Sequence, residues 1–136
     1  MRVLFIGGTG NISTACVERA LAVGHRVTIL TRGRREAAYE GRVEEIVGDR
    51  DDPAVLETLG ERRFDVVANF LGFRIEQIER DLEAFGGRCG QYVFISTAST
   101  YMKPPRDYLI TESTPLHNPF WQYSRDKIAC EERLLR

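Results

Sequence analysis

The feature that most constrains this chain is an apolar run that breaks into a glycine cluster and passes at once into a helical pattern: Val3-Leu4-Phe5-Ile6-Gly7-Gly8-Thr9-Gly10-Asn11-Ile12-Ser13. Val3–Ile6 is short, continuous and rich in β-forming residues, which predicts a buried strand. Gly7 and Gly10 carry no Cβ, so the backbone can turn sharply there and come close to a ligand. A helix starting near Asn11 aims unpaired N–H groups and the positive end of its dipole at the turn, which suits a pyrophosphate. Strand, glycine turn and helix in this order form the first unit of a dinucleotide-binding fold. Gly7, Thr9, Gly10, Asn11 and Ile12 are the turn residues expected against that ligand.

The pattern continues in the same alternation. Ile12, Ala15, Cys16 and Ala20, widened by Val17 and Leu21, predict a helix from about Asn11 to Val23, stopped at Gly24. A second strand is expected over Arg26–Thr31, then a basic turn, Arg32-Gly33-Arg34-Arg35, and a short helix around Glu36–Tyr39. A third strand over Val43–Val47 leads to Asp52, an N-cap for a helix whose first residue is Pro53; that helix carries Val55, Leu56 and Leu59 and stops at Gly60. Phe64–Leu71 is apolar enough for a strand covered on both faces. From near Arg74, Ile75, Ile78, Leu82 and Phe85 make one stripe against Glu76, Glu79, Arg80 and Glu83. A fifth strand is expected over Gln91–Ser96. Thr97–Asn118 has no period and contains Pro104, Pro105 and Pro115, and a loop of that length is usually functional. A last helix opens near Pro119 and is still running at Arg136. Alternating strands and helices joined by right-handed crossovers predict one Rossmann-like α/β domain over residues 1–136, a doubly wound parallel sheet of order 3-2-1-4-5 with helices on both faces.

Composition narrows the function. With 43% hydrophobic residues the chain can build a core, and 19 basic against 20 acidic side chains give a net charge of −1, which offers no general attraction to nucleic acid or anionic membrane. No apolar run is long enough to span a bilayer, and the N-terminus lacks the layout of a signal peptide. Cys16, Cys89 and Cys130 are odd in number and far apart, which predicts buried thiols in a reduced, cytoplasmic protein; His25 and His117 are isolated, so no metal site is expected.

Two further stretches carry chemistry. Tyr123-Ser124-Arg125-Asp126-Lys127 places a phenol and an ammonium one helical turn apart on one face. A neighbouring cation favours phenolate, and a tyrosine so tuned can exchange a proton with a carbonyl or hydroxyl. The end of the second strand meets the adenosine ribose in such folds; an acid there suits NAD, an arginine the 2′-phosphate of NADP. Arg32 stands at that point and no acid follows until Glu36, so NADP(H) is expected over NAD(H).

The spacing Gly7-x-x-Gly10-x-x-Ser13, the YxxxK pair and the segment Phe94-Ile95-Ser96-Thr97-Ala98-Ser99-Thr100-Tyr101 together resemble the extended branch of the short-chain dehydrogenase/reductase superfamily, the NAD-dependent epimerase/dehydratase family. Ser13 departs from that pattern, standing where the third glycine usually is. The resemblance implies an oxidoreductase, epimerase or dehydratase acting on a hydroxyl or ketone, including that of a nucleotide sugar, with Tyr123 as acid/base. It implies Thr97 as the hydroxyl that orients the reacting oxygen, with Ser96 and Ser99 as runners-up, and Lys127 as tuner of Tyr123 and holder of the nicotinamide ribose. Tyr101 ranks below Tyr123 because no lysine follows it by four. Asp49 matches the acid that contacts the adenine amino group, and Phe70 and Gly72 match positions flanking the cofactor, Phe70 being bulkier than the usual alanine. Members of the family continue into a C-terminal substrate lobe, so the chain corresponds to their N-terminal half. The expected partner is a small-molecule substrate, with a homodimer as the assembly considered. The alternative reading is a non-catalytic NAD(P)-binding sensor or RNA-associated relative, although such proteins typically lose the tyrosine or lysine that this chain retains.

Overall fold

A computed structural model describes residues 1–34, 39 and 41–136. It divides into two units, one made of Met1–Leu71 and Arg80–Ile95, the other of Gly72–Glu79 and Ser96–Arg136.

The first unit is a five-stranded parallel sheet of order β3-β2-β1-β4-β5, with β1 at Arg2–Ile6, β2 at Arg26–Thr31, β3 at Glu44–Val47, β4 at Phe64–Asn69 and β5 at Cys89–Phe94. β1 sits centrally, registered Val3 to Val27 on one side and Val3 to Val66 on the other. Successive side chains of a strand point to opposite faces, and β1 is apolar on both. Val3 and Phe5 pack with Val17 and Ala20 of helix α1 (Asn11–Ala22). Leu4 and Ile6 pack on the other face with Leu56 and Leu59 of α2 (Pro53–Gly60) and Phe85 of α3 (Ile75–Phe85). The doubly wound, Rossmann-like architecture read from the sequence is therefore the observed one. The first half of α3 groups with the second unit and its second half with the first.

Local signals placed most elements. Asp52 accepts the Ala54 N–H at 3.0 Å and Pro53 occupies the first helical position, as the sequence implied. Several boundaries and faces differ. β4 ends at Asn69 rather than Leu71 and β5 at Phe94 rather than Ser96, because Asn69 and Phe94 are the last residues the two strands pair. The buried face of α1 is Ser13, Val17 and Ala20. Ile12 is 68% exposed and Cys16 is exposed, so the expected stripe was rotated, and of the three expected buried thiols only Cys130 is buried. Ile75, assigned to the apolar stripe of α3, is exposed too, whereas Gln77 and Asp81 of that helix are buried. The short helix expected around Glu36–Tyr39 falls outside the described residues except for Tyr39, as do Arg35 and Glu36.

In the second unit the aperiodic stretch holds a 3-10 turn at Ala98–Thr100 and an isolated bridge between Tyr101 and Leu116. Helix α4 spans Gln122–Leu134, with Trp121 and Leu135 as its caps. The helix expected to open near Pro119 and to be still running at Arg136 instead starts at Gln122 and stops at Leu134. Among the described residues, no helix is long and apolar enough to cross a membrane.

Candidate functional site

Where β1 hands over to α1, the first unit holds a cleft of about 660 Å³. Its floor is the turn Gly7–Ser13. Thr31, Arg32 and Arg34 line one side, Phe70 and Leu71 the other. Gly7 has φ +105° and Gly8 φ +131°, values that L side chains rarely adopt. A Cβ on Gly7 would stand 3.3 Å from the Cβ of Phe70, and one on Gly8 would stand 3.0 Å from Cγ2 of Ile29, so both positions favour glycine by conformation and a side chain would also crowd its neighbour. The turn is fastened from three directions. Gly7 N–H donates to the Leu30 carbonyl at 2.9 Å, the buried Tyr39 hydroxyl donates to the Gly8 carbonyl, and Thr14 N–H donates to the Gly10 carbonyl at 2.9 Å.

Ser13 explains its own departure from the glycine pattern. Its Oγ accepts the Gly10 N–H at 2.9 Å and donates to the Gly10 carbonyl at 3.2 Å, so a buried hydroxyl closes the first turn of α1. On the far side, Thr31 Oγ1 donates to Glu45 at 2.6 Å and accepts the Gly33 N–H at 3.1 Å, which shapes the chain leading to Arg34. Arg32 and Arg34 are exposed, and among the described residues no carboxylate lines the cleft.

Of the residues expected against a cofactor, Gly7, Thr9, Gly10, Asn11, Ile12, Arg32 and Phe70 are together here. Asp49 and Gly72 are not among the lining residues. Asp49 is exposed and its Oδ1 accepts the Asp51 N–H at 2.9 Å, holding its own turn. Gly72 belongs to the second unit, where its carbonyl accepts from Lys127. Leu71 takes the place expected of Gly72. The clasp from Tyr39 was not anticipated, since no local signal links a lone tyrosine to a carbonyl 31 residues away.

The second unit gathers the remaining candidates. Tyr123 lies on the first turn of α4, half-buried, with its ring 4.8 Å from that of Trp121 and 6.3 Å from that of Phe73. Lys127, only 1% exposed, donates from Nζ to the Gly72 carbonyl at 2.7 Å and stands 5.9 Å from the Tyr123 ring centroid and 5.2 Å from that of Phe73. Burial pushes the Lys127 ammonium below its ordinary range, against the opposing pull of Cys130 and Glu131. Thr97 caps the 3-10 turn, its Oγ1 accepting the Ser99 N–H at 3.3 Å and lying 3.1 Å from Ser99 Oγ. Ser124, next to Tyr123, donates to Ser99 Oγ at 2.8 Å, and Asn118 donates to the Ser99 carbonyl at 2.8 Å. A hydrogen-bonded relay therefore ties the Thr97 turn to the helix that carries Tyr123 and Lys127. Ser96, a runner-up to Thr97, is bonded to Glu131. Tyr101 sits in the bridge to Leu116.

A doubly wound parallel sheet whose first strand ends in a glycine turn at a helix N-terminus defines the Rossmann-like class of α/β domain. The model of the NAD dependent epimerase/dehydratase family matches residues 3–136, and the chain belongs to that family. It is 30% identical to the chloroplast stem-loop binding protein of 41 kDa b from Arabidopsis thaliana over 116 residues, which are 75% of this chain and 30% of that protein. It is 28% identical to the UDP-glucose 4-epimerase of Lactobacillus helveticus, over 97% of this chain and 46% of that one. The chain thus spans less than half the length of these curated relatives. The structure of UDP-glucose 4-epimerase from Thermus thermophilus in complex with NAD superposes with a TM-score of 0.82 at 26% identity, covering 99% of this chain and 50% of that one.

Proposed function

We propose that this chain is the dinucleotide-binding part of an NAD(P)-dependent epimerase, dehydratase or reductase whose substrate is a small molecule bearing a hydroxyl or ketone, a nucleotide sugar being the leading class. The observation that supports it is the cleft itself: two glycines in a backbone conformation that strains any side chain, a helix N-terminus, and two arginines with no lining carboxylate among the described residues. Those features fit a dinucleotide. The Gly7–Ile12 turn would take the pyrophosphate on its backbone, and Phe70 and Leu71 would cover apolar faces of the ligand. When bound, the nicotinamide supplies hydride exchange with a substrate carbon.

In this reading Tyr123 gives a proton to the substrate oxygen or removes one from it, Thr97 hydrogen-bonds that oxygen and orients it, and Lys127 is the cation beside the tyrosine. The relay from Ser124 through Ser99 keeps Thr97 in register with them. We assign the substrate-specific half of the reaction to a further lobe of a longer polypeptide, in keeping with the share of its relatives that this chain spans. Large apolar side chains exposed in the second unit, Tyr108, Leu109, Phe120 and Trp121, support that assignment.

For the cofactor, Arg32 and Arg34 favour NADP(H), since a guanidinium meets a phosphate with two hydrogen bonds. The NAD held by the Thermus thermophilus relative favours NAD(H) instead. A second functional reading, a non-catalytic dinucleotide-binding protein that associates with RNA, is favoured by the similarity to the stem-loop binding protein. The test is calorimetric titration of the 136-residue chain with NADPH, NADH and a stem-loop RNA. Binding of either dinucleotide supports the cleft reading, and binding of neither overturns it. RNA binding without turnover by the longer polypeptide would shift the function to the second reading.

A further inference from the structure

At the end of β4 stands a polar residue with no exposure at all. Asn69 is 0% exposed, and each arm of its amide is engaged. Oδ1 accepts the Leu71 N–H at 2.7 Å, while Nδ2 donates to Asp81 Oδ2 at 2.5 Å and to the Tyr92 hydroxyl at 2.9 Å. The Tyr92 hydroxyl donates to the same carboxylate oxygen at 2.5 Å. Arg50, 5% exposed, completes the cluster. Its Nη2 reaches Asp81 Oδ1 at 2.7 Å, and its Nη1 donates to the Leu71 carbonyl at 3.2 Å.

Both peptide groups of Leu71 are therefore held by buried side chains, its N–H by Asn69 and its carbonyl by Arg50. Leu71 and Phe70 form one wall of the cleft, and Phe70 N–H donates to the Ile6 carbonyl at 3.0 Å. The fit there is close: the Leu71 Cγ lies 3.5 Å from where a Gly7 Cβ would stand. A buried ion pair is a costly way to fill a core, because apolar residues of similar volume often stabilise as well or better. Here the cluster supplies something apolar packing cannot, a fixed direction for both polar groups of one peptide segment.

We propose that Asn69 and Arg50, through the Asp81–Tyr92 cluster, are positioning residues for the ligand cleft: they clamp Leu71 so that the Phe70–Leu71 wall stays at a fixed spacing from the Gly7 turn. Dinucleotide affinity then depends on residues that never touch the ligand, as sites held by a supporting shell do. The inference rests on the reading of the cleft as a dinucleotide site.

Two measurements on the 136-residue chain test it. The first needs no ligand. In Asn69→Ala the Leu71 amide loses its acceptor, and its hydrogen exchange is expected to accelerate by about tenfold or more while the β1 amides of Leu4–Ile6 stay protected. Unchanged exchange at Leu71 overturns the clamp whatever the ligand proves to be. The second is the Kd for NADPH and NADH, measured on folded protein below the melting transition. Asn69→Ala is expected to weaken whichever dinucleotide binds by about tenfold or more. Arg50→Lys, which keeps a positive charge facing Asp81 but loses the second arm to the Leu71 carbonyl, is the milder variant should Asn69→Ala fail to fold. Phe64→Leu, at the opposite end of β4, provides the comparison: it should lower Tm and leave Kd unchanged. If Asn69→Ala or Arg50→Lys lowers Tm with Kd unchanged, as Phe64→Leu does, the cluster is purely structural and the proposal is wrong. If wild-type protein binds neither dinucleotide, the cleft reading falls, and Leu71 exchange alone decides the clamp.

Discussion

Lys127 donates from its ammonium to the Gly72 carbonyl oxygen at 2.7 Å, and this bond holds the charged end of a side chain that is almost wholly buried. The charge is thereby fixed beside Tyr123 and Phe73 rather than in solvent. That arrangement carries a stability cost that depends on pH.

Burial lowers the Lys127 pKa below 10.5, so between the folded value and 10.5 the unfolded chain binds more protons than the folded one. Stability contributed through this group must rise with pH across that window. Chemical denaturation of wild type and Lys127→Met from neutral pH to pH ~10 should show the rise in wild type relative to the variant. Parallel profiles would mean that Lys127 ionises as freely folded as unfolded.

Tyr123→Phe in the longer polypeptide should lower turnover by about 10²–10⁴-fold, the range contributed by a positioned acid/base, with dinucleotide affinity preserved. Lys127→Met should also slow turnover, and the double variant should lose far less than the two losses multiplied together, because the pair acts as one unit. Sugar nucleotides and simple ketones with NAD(P)H oxidation as the readout provide the assay. Wild-type turnover in Tyr123→Phe would move the proton-transfer role elsewhere, with Tyr101 next to examine.

Arg32→Ala tests cofactor choice. A charge-assisted bond to a 2′-phosphate is worth about 1.5–3 kcal/mol, so NADPH should weaken by about 10- to 150-fold while NADH is unaffected. Tighter binding of NADH than NADPH by the wild-type protein would count against the arginines as 2′-phosphate ligands.

Gly10→Val tests the turn. Gly10 has φ −94°, which valine can adopt, and its Cβ would meet Ser13 Oγ at 3.4 Å, an ordinary contact. The fold should survive and the added methyl groups should obstruct the pyrophosphate. Calorimetry showing wild-type dinucleotide affinity in a folded Gly10→Val would remove the turn from the site.

Features carried by neighbouring residues were readable in advance. The glycine turn, the Asp52–Pro53 helix start and the Tyr123–Lys127 spacing each lie within a few positions along the chain, so residue type alone declares them. The Leu71 clamp was not readable. Asp81 lies among Glu79, Arg80 and Glu83 on α3 and carries the same polar signal, and only Arg50, Asn69 and Tyr92, brought from elsewhere in the chain, make it a buried anchor. Arg50, beside Asp49, carries no local signal of burial. The rotated face of α1 has a similar cause: Ile12 looks like a core residue until the cleft is seen to open beside it. Gly72 does not line the cleft; its neighbour Leu71 does, and the Gly72 carbonyl accepts from Lys127.

In the proposed dinucleotide site, the serine that closes the first turn of α1 would make protein and ligand rivals for one amide. Ser13 Oγ already accepts the Gly10 N–H, so an arriving phosphate oxygen must either settle for the later amides of the turn or displace the hydroxyl. On the dinucleotide reading proposed above, helix stability and anion affinity would draw on a shared donor, and a gain in one would be a loss in the other. Ser13→Gly would release that amide to the ligand and leave α1 to start without its clasp.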